Sequence, residues 1–223
     1  MDKKVTIKEI IIRVIILMIG LVVAHLGVTL FLLANLGADP FNVFVQGVLR
    51  TVQKFTDFEL LTQGITHIAI SVLIIIVLLF VDRSYVRIGT LLCMIFGGPI
   101  IDMFTSLLGF LFTESSPFVY RLIFNALGCM ILAFGMSMVI KSDAGTGPND
   151  LVAVVISDKL KKKFSIVRVI VDVSFIIIGF LLGGTAGIGT GVCAILVGPV
   201  AGVFMSISQK MVNATLKLTK VYE

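Results

Sequence analysis

The chain has 223 residues and is 58% hydrophobic with only 14% charged residues, which excludes a soluble domain with a polar surface. Its continuous apolar runs predict an all-α, polytopic transmembrane bundle, and they lack the period-two alternation of a transmembrane β-barrel. The formal net charge of +5 does not indicate a nucleic-acid partner, because the basic residues cluster at predicted helix ends, as cytoplasmic flanks do.

We predict four helices in each half of the chain. In the first half they cover residues 10–34, 41–54, 61–81 and 88–112, and in the second half residues 121–140, 149–161, 165–182 and 188–208. Residues 10–34 are too long for the roughly 7–15-residue core of a signal peptide, so they predict a membrane anchor. The chain is therefore divided into a first membrane repeat (1–112), a linker (113–120), a second membrane repeat (121–208) and a cytoplasmic tail (209–223).

The two halves repeat a framework of glycine and proline. Four of these residues recur 108 positions later: Gly20, Gly27, Gly37 and Pro40 as Gly128, Gly135, Gly145 and Pro148. The segment 88–99, which contains Gly97-Gly98-Pro99, recurs 100 positions later, and we expect both fourth helices to be interrupted at this motif. Helix breakers at matched places in two halves are typical of transporters that are built from internal repeats.

The second helix of each half is predicted to be too short to cross the membrane. Residues 151–156 are its only uninterrupted apolar run in the second half, and they cover about 9 Å of a hydrocarbon core of about 30 Å. Equivalent loops also carry contrasting charge: Arg83 and Arg87 follow the third helix of the first half, whereas residues 183–187 are neutral. This contrast favours 3+3 inverted spans, with both termini cytoplasmic and Glu114 outside, over parallel halves with four spans each.

The start of each second helix is a candidate substrate-binding site. Asp39-Pro40 and Gly147-Pro148 have the form of a helix N-terminus, which leaves backbone N–H groups unpaired and carries partial positive charge. Within a membrane such an end can bind a polar or anionic ligand. The candidate side chains are Asp39, Asn42, Asn149 and Asp150, together with Thr90 and Thr190 near the starts of the fourth helices. The alternative is a turn that these side chains cap without a ligand.

Polar residues present in only one half are candidates for ion coupling. They are Asp102, Asp172, His25 and His67. A carboxylate inside a span costs at least ~2.5 kcal/mol, so it tends to face a cavity or a partner. Asp172 can pair with Arg168 one helical turn before it, whereas Asp102 has no such neighbour and is the stronger candidate. For the two histidines the sequence allows either a packing role or a role in proton relay.

The sequence predicts neither a catalytic centre nor a cofactor. Cys93, Cys129 and Cys193 lie in apolar helices without the paired spacing of a zinc or haem site, so we expect them to pack helix against helix. No serine or histidine motif of a hydrolase occurs, and we expect a protein that is not an enzyme. The expected partners are the lipid bilayer and a small molecule or ion, with homo-oligomerisation left open.

Two motifs around the helix breakers carry a family resemblance. They are Gly37-Ala38-Asp39-Pro40-Phe41-Asn42 and Gly145-Thr146-Gly147-Pro148-Asn149-Asp150, together with Ile188-Gly189-Thr190-Gly191. They resemble motifs of the YczE/YyaS/YitT family, which implies a multi-pass protein of the bacterial plasma membrane whose biochemical role is largely unassigned. The sequence predicts a small secondary transporter or exporter of a small polar or anionic solute, with its site between the repeats. The alternative is a non-transporting membrane subunit or scaffold of a larger complex.

Overall fold

The computed structural model describes residues 6–56, 60–113 and 115–221, excluding the side chains at 165, 198 and 217–221. These residues are all-helical, without a β-strand. Within them, four stretches are long and apolar enough to cross a bilayer: Ile7–Ala34, Gln63–Val81, Ile88–Leu111 and Phe118–Ser142. The bent pair Ile188–Val197 and Pro199–Leu216 would make a fifth span, whereas Phe164–Leu181, the sixth span that the 3+3 prediction requires, is not among these stretches. Lys3, Lys4 and Glu114, on which part of the predicted orientation depends, lie outside the described residues.

The α-helices begin and end close to the predicted positions. In chain order they are α1 (Ile7–Ala34), α2 (Pro40–Phe55), α3 (Gln63–Val81), α4 (Ile88–Leu108), α5 (Phe118–Ser142), α6 (Pro148–Leu160), α7 (Phe164–Leu181) and α8 (Ile188–Val221). Short 3-10 helices cover Arg83–Tyr85 and Gly109–Leu111. α2 and α6 have lengths of only about 24 and 20 Å, shorter than the hydrocarbon core. The helix predicted to end near residue 208 instead continues to Val221, so most of the expected tail is helical.

α1 and α5 form the most extensive helix pair and run in opposite directions. Gly20 of α1 lies against Gly135 of α5, and Gly27, one to two turns later, lies against Gly128. A Cβ atom at Gly27 would come within 2.5 Å of the backbone oxygen of Gly128. Glycine is therefore required at this crossing, because only a residue without a side chain lets the two backbones approach so closely.

An arginine at the start of each of these two helices binds the end of the other. The Arg13 guanidinium donates to the backbone oxygen of Ser142 at 3.0 Å. The Arg121 guanidinium donates to the backbone oxygen of Ala34 at 2.6 Å. Both contacts place a cation on carbonyl groups that a helix C-terminus leaves unpaired, which stabilises that end of the helix.

The loops that precede α2 and α6 are held by the starts of α8 and α4. The backbone N–H of Gly189 donates to the oxygen of Leu36 at 2.8 Å, and that of Gly89 donates to the oxygen of Ala144 at 3.0 Å. In the first of these loops Gly37 has a φ of 118°, a backbone conformation that residues with a side chain rarely adopt. Each of these two loops is thus hydrogen-bonded to the start of a helix from the other half of the chain.

The predicted interruption of the fourth helix is wrong for α4. This helix continues through Pro99 from Ile88 to Leu108. Proline removes one backbone hydrogen bond, and the remaining bonds keep the helix intact. In α8 the corresponding position bends the helix by 43° between Val197 and Pro199.

The expectation that all three cysteines only pack is also wrong. Cys129 of α5 and Cys193 of α8 form a disulfide, with their Cα atoms 5.5 Å apart, and Cys93 is free and buried. The two bonded residues lie 64 positions apart in the sequence. Only the packing of α5 against α8 brings them together, and no local spacing could indicate it.

Candidate functional site

A polar cavity of about 80 Å³ lies where the first turns of α2 and α6 approach each other. Six of the predicted site residues line it: His25, Asp39, Asn42, His67, Asn149 and Asp150. The rest of the wall is mostly apolar, with Leu21, Val28, Phe41, Cys93, Leu132, Met136 and Val139 among its residues. The cavity thus concentrates polar side chains inside an otherwise apolar bundle.

The start of α2 is capped by its own side chains. Asp39 precedes Pro40 and accepts hydrogen bonds from the backbone N–H of Asn42 at 3.4 Å and from its side-chain amide at 2.7 Å. The oxygen of that amide accepts from Gln63 of α3 at 3.3 Å. The predicted cap is therefore confirmed, and it satisfies part of this N-terminus without a ligand.

The start of α6 has no side-chain cap. Gly147 occupies the cap position before Pro148, and Asn149 donates to Asp150 at 3.3 Å. Pro148 has no N–H, and the N–H groups of Asp150 and Leu151 donate to the oxygen of Gly147, so the N–H of Asn149 and the partial positive charge of this N-terminus are left for another partner. Since residues 147–150 all line the cavity, the uncapped end faces the same space as the capped one.

Asp150 belongs to a charge cluster that continues into α7. The Arg168 guanidinium donates to Asp150, and its Nε donates to Asp172 at 2.9 Å. Asp39 lines the same cavity as Asp150 and adds a third carboxylate. With all four groups ionised, one cation faces three carboxylates, so the cluster around the cavity carries an excess of acidic groups.

Two histidines form the opposite side of the cavity. The rings of His25 on α1 and His67 on α3 meet edge to face with centroids 5.7 Å apart, and both pack over Gly97 of α4. The Nδ1 of His25 lies 2.8 Å from the backbone oxygen of Leu21, so it carries the hydrogen and leaves Nε2 as an acceptor. The buried Nδ1 of His67 has no hydrogen-bond partner among the described residues. Buried polar atoms usually have a hydrogen-bond partner, so this nitrogen calls for one, such as a water molecule or a ligand group.

The other predicted site residues lie away from this cavity. Thr190 accepts from the backbone N–H of Gly187 at 3.3 Å, and Thr90 packs beside Gly145, so each threonine supports a loop. Asp172 meets Arg168 but does not line the cavity. The structure shows the positions of these residues, and their predicted roles in binding and coupling stay predictions.

Asp102 has partners that the sequence did not indicate. Its carboxylate accepts from the backbone N–H of Gly64 at 2.9 Å and from the hydroxyl of Thr62. Both groups belong to the start of α3, so Asp102 serves as an additional cap on a neighbouring helix. It is not among the described residues that line the cavity.

Two further residues beside the cavity, Arg168 and Gln63, were not predicted from the sequence. Arg168 was expected only to pair with Asp172, and it also donates to Asp150 at the cavity. A single arginine in the apolar segment 164–181 was the available signal, because a charge at that depth needs counter-charges. Gln63 gave no signal in the sequence. No group of three or more metal-binding side chains occurs among the residues that the structure describes.

Comparisons with known proteins are consistent with this membrane architecture. The family described as "Family of unknown function (DUF6198)" matches residues 11–206. The chain is 28% identical to an uncharacterized protein of Haemophilus influenzae, over 88% of this chain and 84% of that protein. It is 27% identical to the uncharacterized membrane protein YczE of Bacillus subtilis (87% and 86% covered) and 24% identical to YyaS of the same organism (86% and 92%). The predicted resemblance is confirmed, and no solved structure matches the chain.

Proposed function

We propose that this chain, which belongs to the DUF6198 family of unknown function, is a small secondary transporter whose solute binds in the cavity between α2 and α6. One observation carries the proposal: two helix N-termini from different halves of the chain meet at a single polar cavity within an apolar bundle. Half-helices whose N-termini point at a solute near the membrane midplane are a recurring construction of secondary transporters.

The substrate class follows from the uncapped start of α6. The backbone N–H and the side-chain amide of Asn149 suit a small polar or anionic group, and Nδ1 of His67 supplies a further contact. A volume of about 80 Å³ exceeds the roughly 10–15 Å³ that a cavity needs to hold one water molecule, so it has room for a small polar group. The group held in this conformation is therefore small, and the carboxylates of the neighbouring cluster favour a neutral polar group or a small zwitterion over a simple anion.

Coupling to protons is assigned to the two histidines rather than to Asp102. His25 and His67 line the solute cavity, and Nε2 of His25 is an acceptor that can take up a proton. Asp102 instead holds the start of α3. No catalytic step is part of this proposal.

An inverted repeat is the second component of the proposal. Arg13 and Arg121 lie 108 positions apart and make matching contacts, each on the end of the other's helix. α1 and α5 are the first helices of the two halves, and they are antiparallel. Superimposing one half on the other therefore inverts its orientation in the membrane. Alternating access by the movement of one half against the other follows from such an arrangement.

Contacts at the ends of the short helices support the same orientation. Arg50, near the end of α2, donates to the backbone oxygen of Gly183 at 2.7 Å. At the end of α6, Lys159 pairs with Asp82 at 3.0 Å. Each short helix therefore ends beside the loop that the inverted topology places on its own side of the membrane. We propose the bacterial plasma membrane as the location, with both termini cytoplasmic.

Binding and uptake by the purified protein test the proposal. We expect glycine to raise the melting temperature more than acetate or inorganic phosphate does, and the stabilising solute to enter proteoliposomes. Asn149→Ala and His67→Gln should each weaken binding about tenfold, since the first removes a polar contact to the solute and the second replaces a ring nitrogen by an amide in a different position. Asn213→Ala, on the exposed face of α8, is the matched control and should bind normally.

The rival function gives a different result in the same preparation. A non-transporting subunit would co-purify with a fixed partner in stoichiometric amount and would not take up solute in its absence. Stabilisation that is equal in the Asn149→Ala, His67→Gln and unaltered proteins would remove the cavity from the proposal.

A further inference from the structure

An apolar groove lies on the outer surface of the bundle, separate from the polar cavity. It has a volume of about 560 Å³ and runs between α3 and α6, with its floor formed by Phe44 of α2 and Phe175 of α7. Leu73 and Val77 line it from α3 and are 62% and 52% exposed. Its lining is apolar except at one end, where Lys159 lies.

The length of the groove matches one leaflet of a bilayer. Its residues on α3 extend from Ile70 to Val81, which is about 16 Å along a helix axis. Half of a hydrocarbon core of about 30 Å is about 15 Å. A lipid acyl chain that enters at the membrane surface would therefore reach the floor of the groove near the midplane.

Positive charge is concentrated at the end of the groove that lies at the membrane surface. Lys159 lies there, and Lys161, Lys162 and Lys163, all exposed, follow after Leu160. Lys159 is paired with Asp82, whose pKa is lowered to about 2 by hydrogen bonds from Ser84 and Lys159, so this pair is neutral overall at pH 7. The other three lysines make no ion pair with the described residues, and they remain available to an anion.

We propose that this groove binds an anionic phospholipid, with an acyl chain between α3 and α6 and the phosphate on Lys161, Lys162 and Lys163. Apolar lining, one-leaflet length and a basic end at the membrane surface are the three features that such a lipid requires. The assignment goes beyond transport, because the site is complete without any solute in the cavity.

The floor of the groove connects the lipid site to the polar cavity. Phe175 contacts Phe44 with ring centroids 5.5 Å apart and contacts Phe41 at the same distance. Phe41 in turn meets His67, which lines the cavity, at 5.3 Å. Two aromatic rings in series, Phe175 and Phe41, thus lie between the end of the acyl chain and His67 of the polar cavity.

The chain contains no tryptophan, so a single introduced tryptophan reports on the groove. Phe44→Trp places it in the floor, and Phe175→Trp is the second variant if the first fails to fold. In vesicles with brominated acyl chains, we expect brominated phosphatidylglycerol to bind about fivefold or more tightly than brominated phosphatidylcholine, as measured by quenching. Phe180→Trp, on an exposed part of α7 outside the groove, is the matched control with a ratio near one.

The lysines are tested in the Phe44→Trp background. Lys161→Gln, Lys162→Gln and Lys163→Gln together should abolish the preference for phosphatidylglycerol, whereas Lys210→Gln should preserve it. Equal quenching by the two lipids in the protein with all its lysines would overturn the proposal. So would a preference that survives the triple substitution. Absence of quenching at Phe44→Trp, with normal quenching at Phe180→Trp, would show that something other than lipid, such as a second copy, fills the groove.

Discussion

Asp102 is a carboxylate in an apolar helix whose hydrogen-bond partners lie on the neighbouring helix. It accepts from Gly64 and Thr62 at the start of α3. We expect Asp102→Ala to lower the free energy of unfolding by about 1.5–3 kcal/mol, because a hydrogen bond to a charged group contributes about that much. Thermal unfolding in detergent measures this loss, and uptake per folded molecule should be retained.

Asp102→Asn serves as the control for this prediction. It keeps one acceptor oxygen and the shape of the side chain, so part of the lost stability should return. A variant that unfolds at the normal temperature but no longer couples uptake to protons would contradict the capping role. Such a result would support the coupling role that was predicted for Asp102 from the sequence.

At the scale of elements, the crossing of α1 and α5 determines how the two halves meet. Gly27→Ala should destabilise the protein by about 1–3 kcal/mol, because the added methyl group would clash with the backbone of Gly128 and Leu132. Gly202→Ala is the matched control, since a Cβ atom at this position in α8 meets nothing within 4 Å. The control should be neutral or slightly stabilising. Equal melting temperatures for the two variants would show that the crossing tolerates a wider separation.

The helix boundaries show which structural features proline predicts from the local sequence. The starts of α2 at Pro40 and of α6 at Pro148 agree with the sequence to within one residue, because proline and a preceding cap act on the chain locally. The same reasoning failed at Pro99, where α4 continues unbroken. Whether a proline ends a helix in its interior depends on the packing around it, which a local pattern does not contain.

At the scale of the whole molecule, the inverted arrangement is tested by labelling of equivalent loops. Thr56→Cys follows α2, and Lys162→Cys follows α6. If the halves are inverted, a membrane-impermeant maleimide should label Thr56→Cys in intact cells and Lys162→Cys only after permeabilisation. The unaltered chain is the control, since Cys93, Cys129 and Cys193 are all buried. Labelling of both positions from the same side would support parallel halves instead.

The sequence by itself determined the membrane class, the bounds of most helices and the matched pattern of glycine and proline. These properties depend on hydrophobicity and on backbone conformations that each residue favours locally. Only the tertiary structure decided that His25 and His67 share a cavity with Asp39 and Asn149, while Asp102 binds α3. It alone paired Cys129 with Cys193. The physical reason is that membership of a site depends on which helix faces meet, and that is fixed by contacts between residues far apart in the chain.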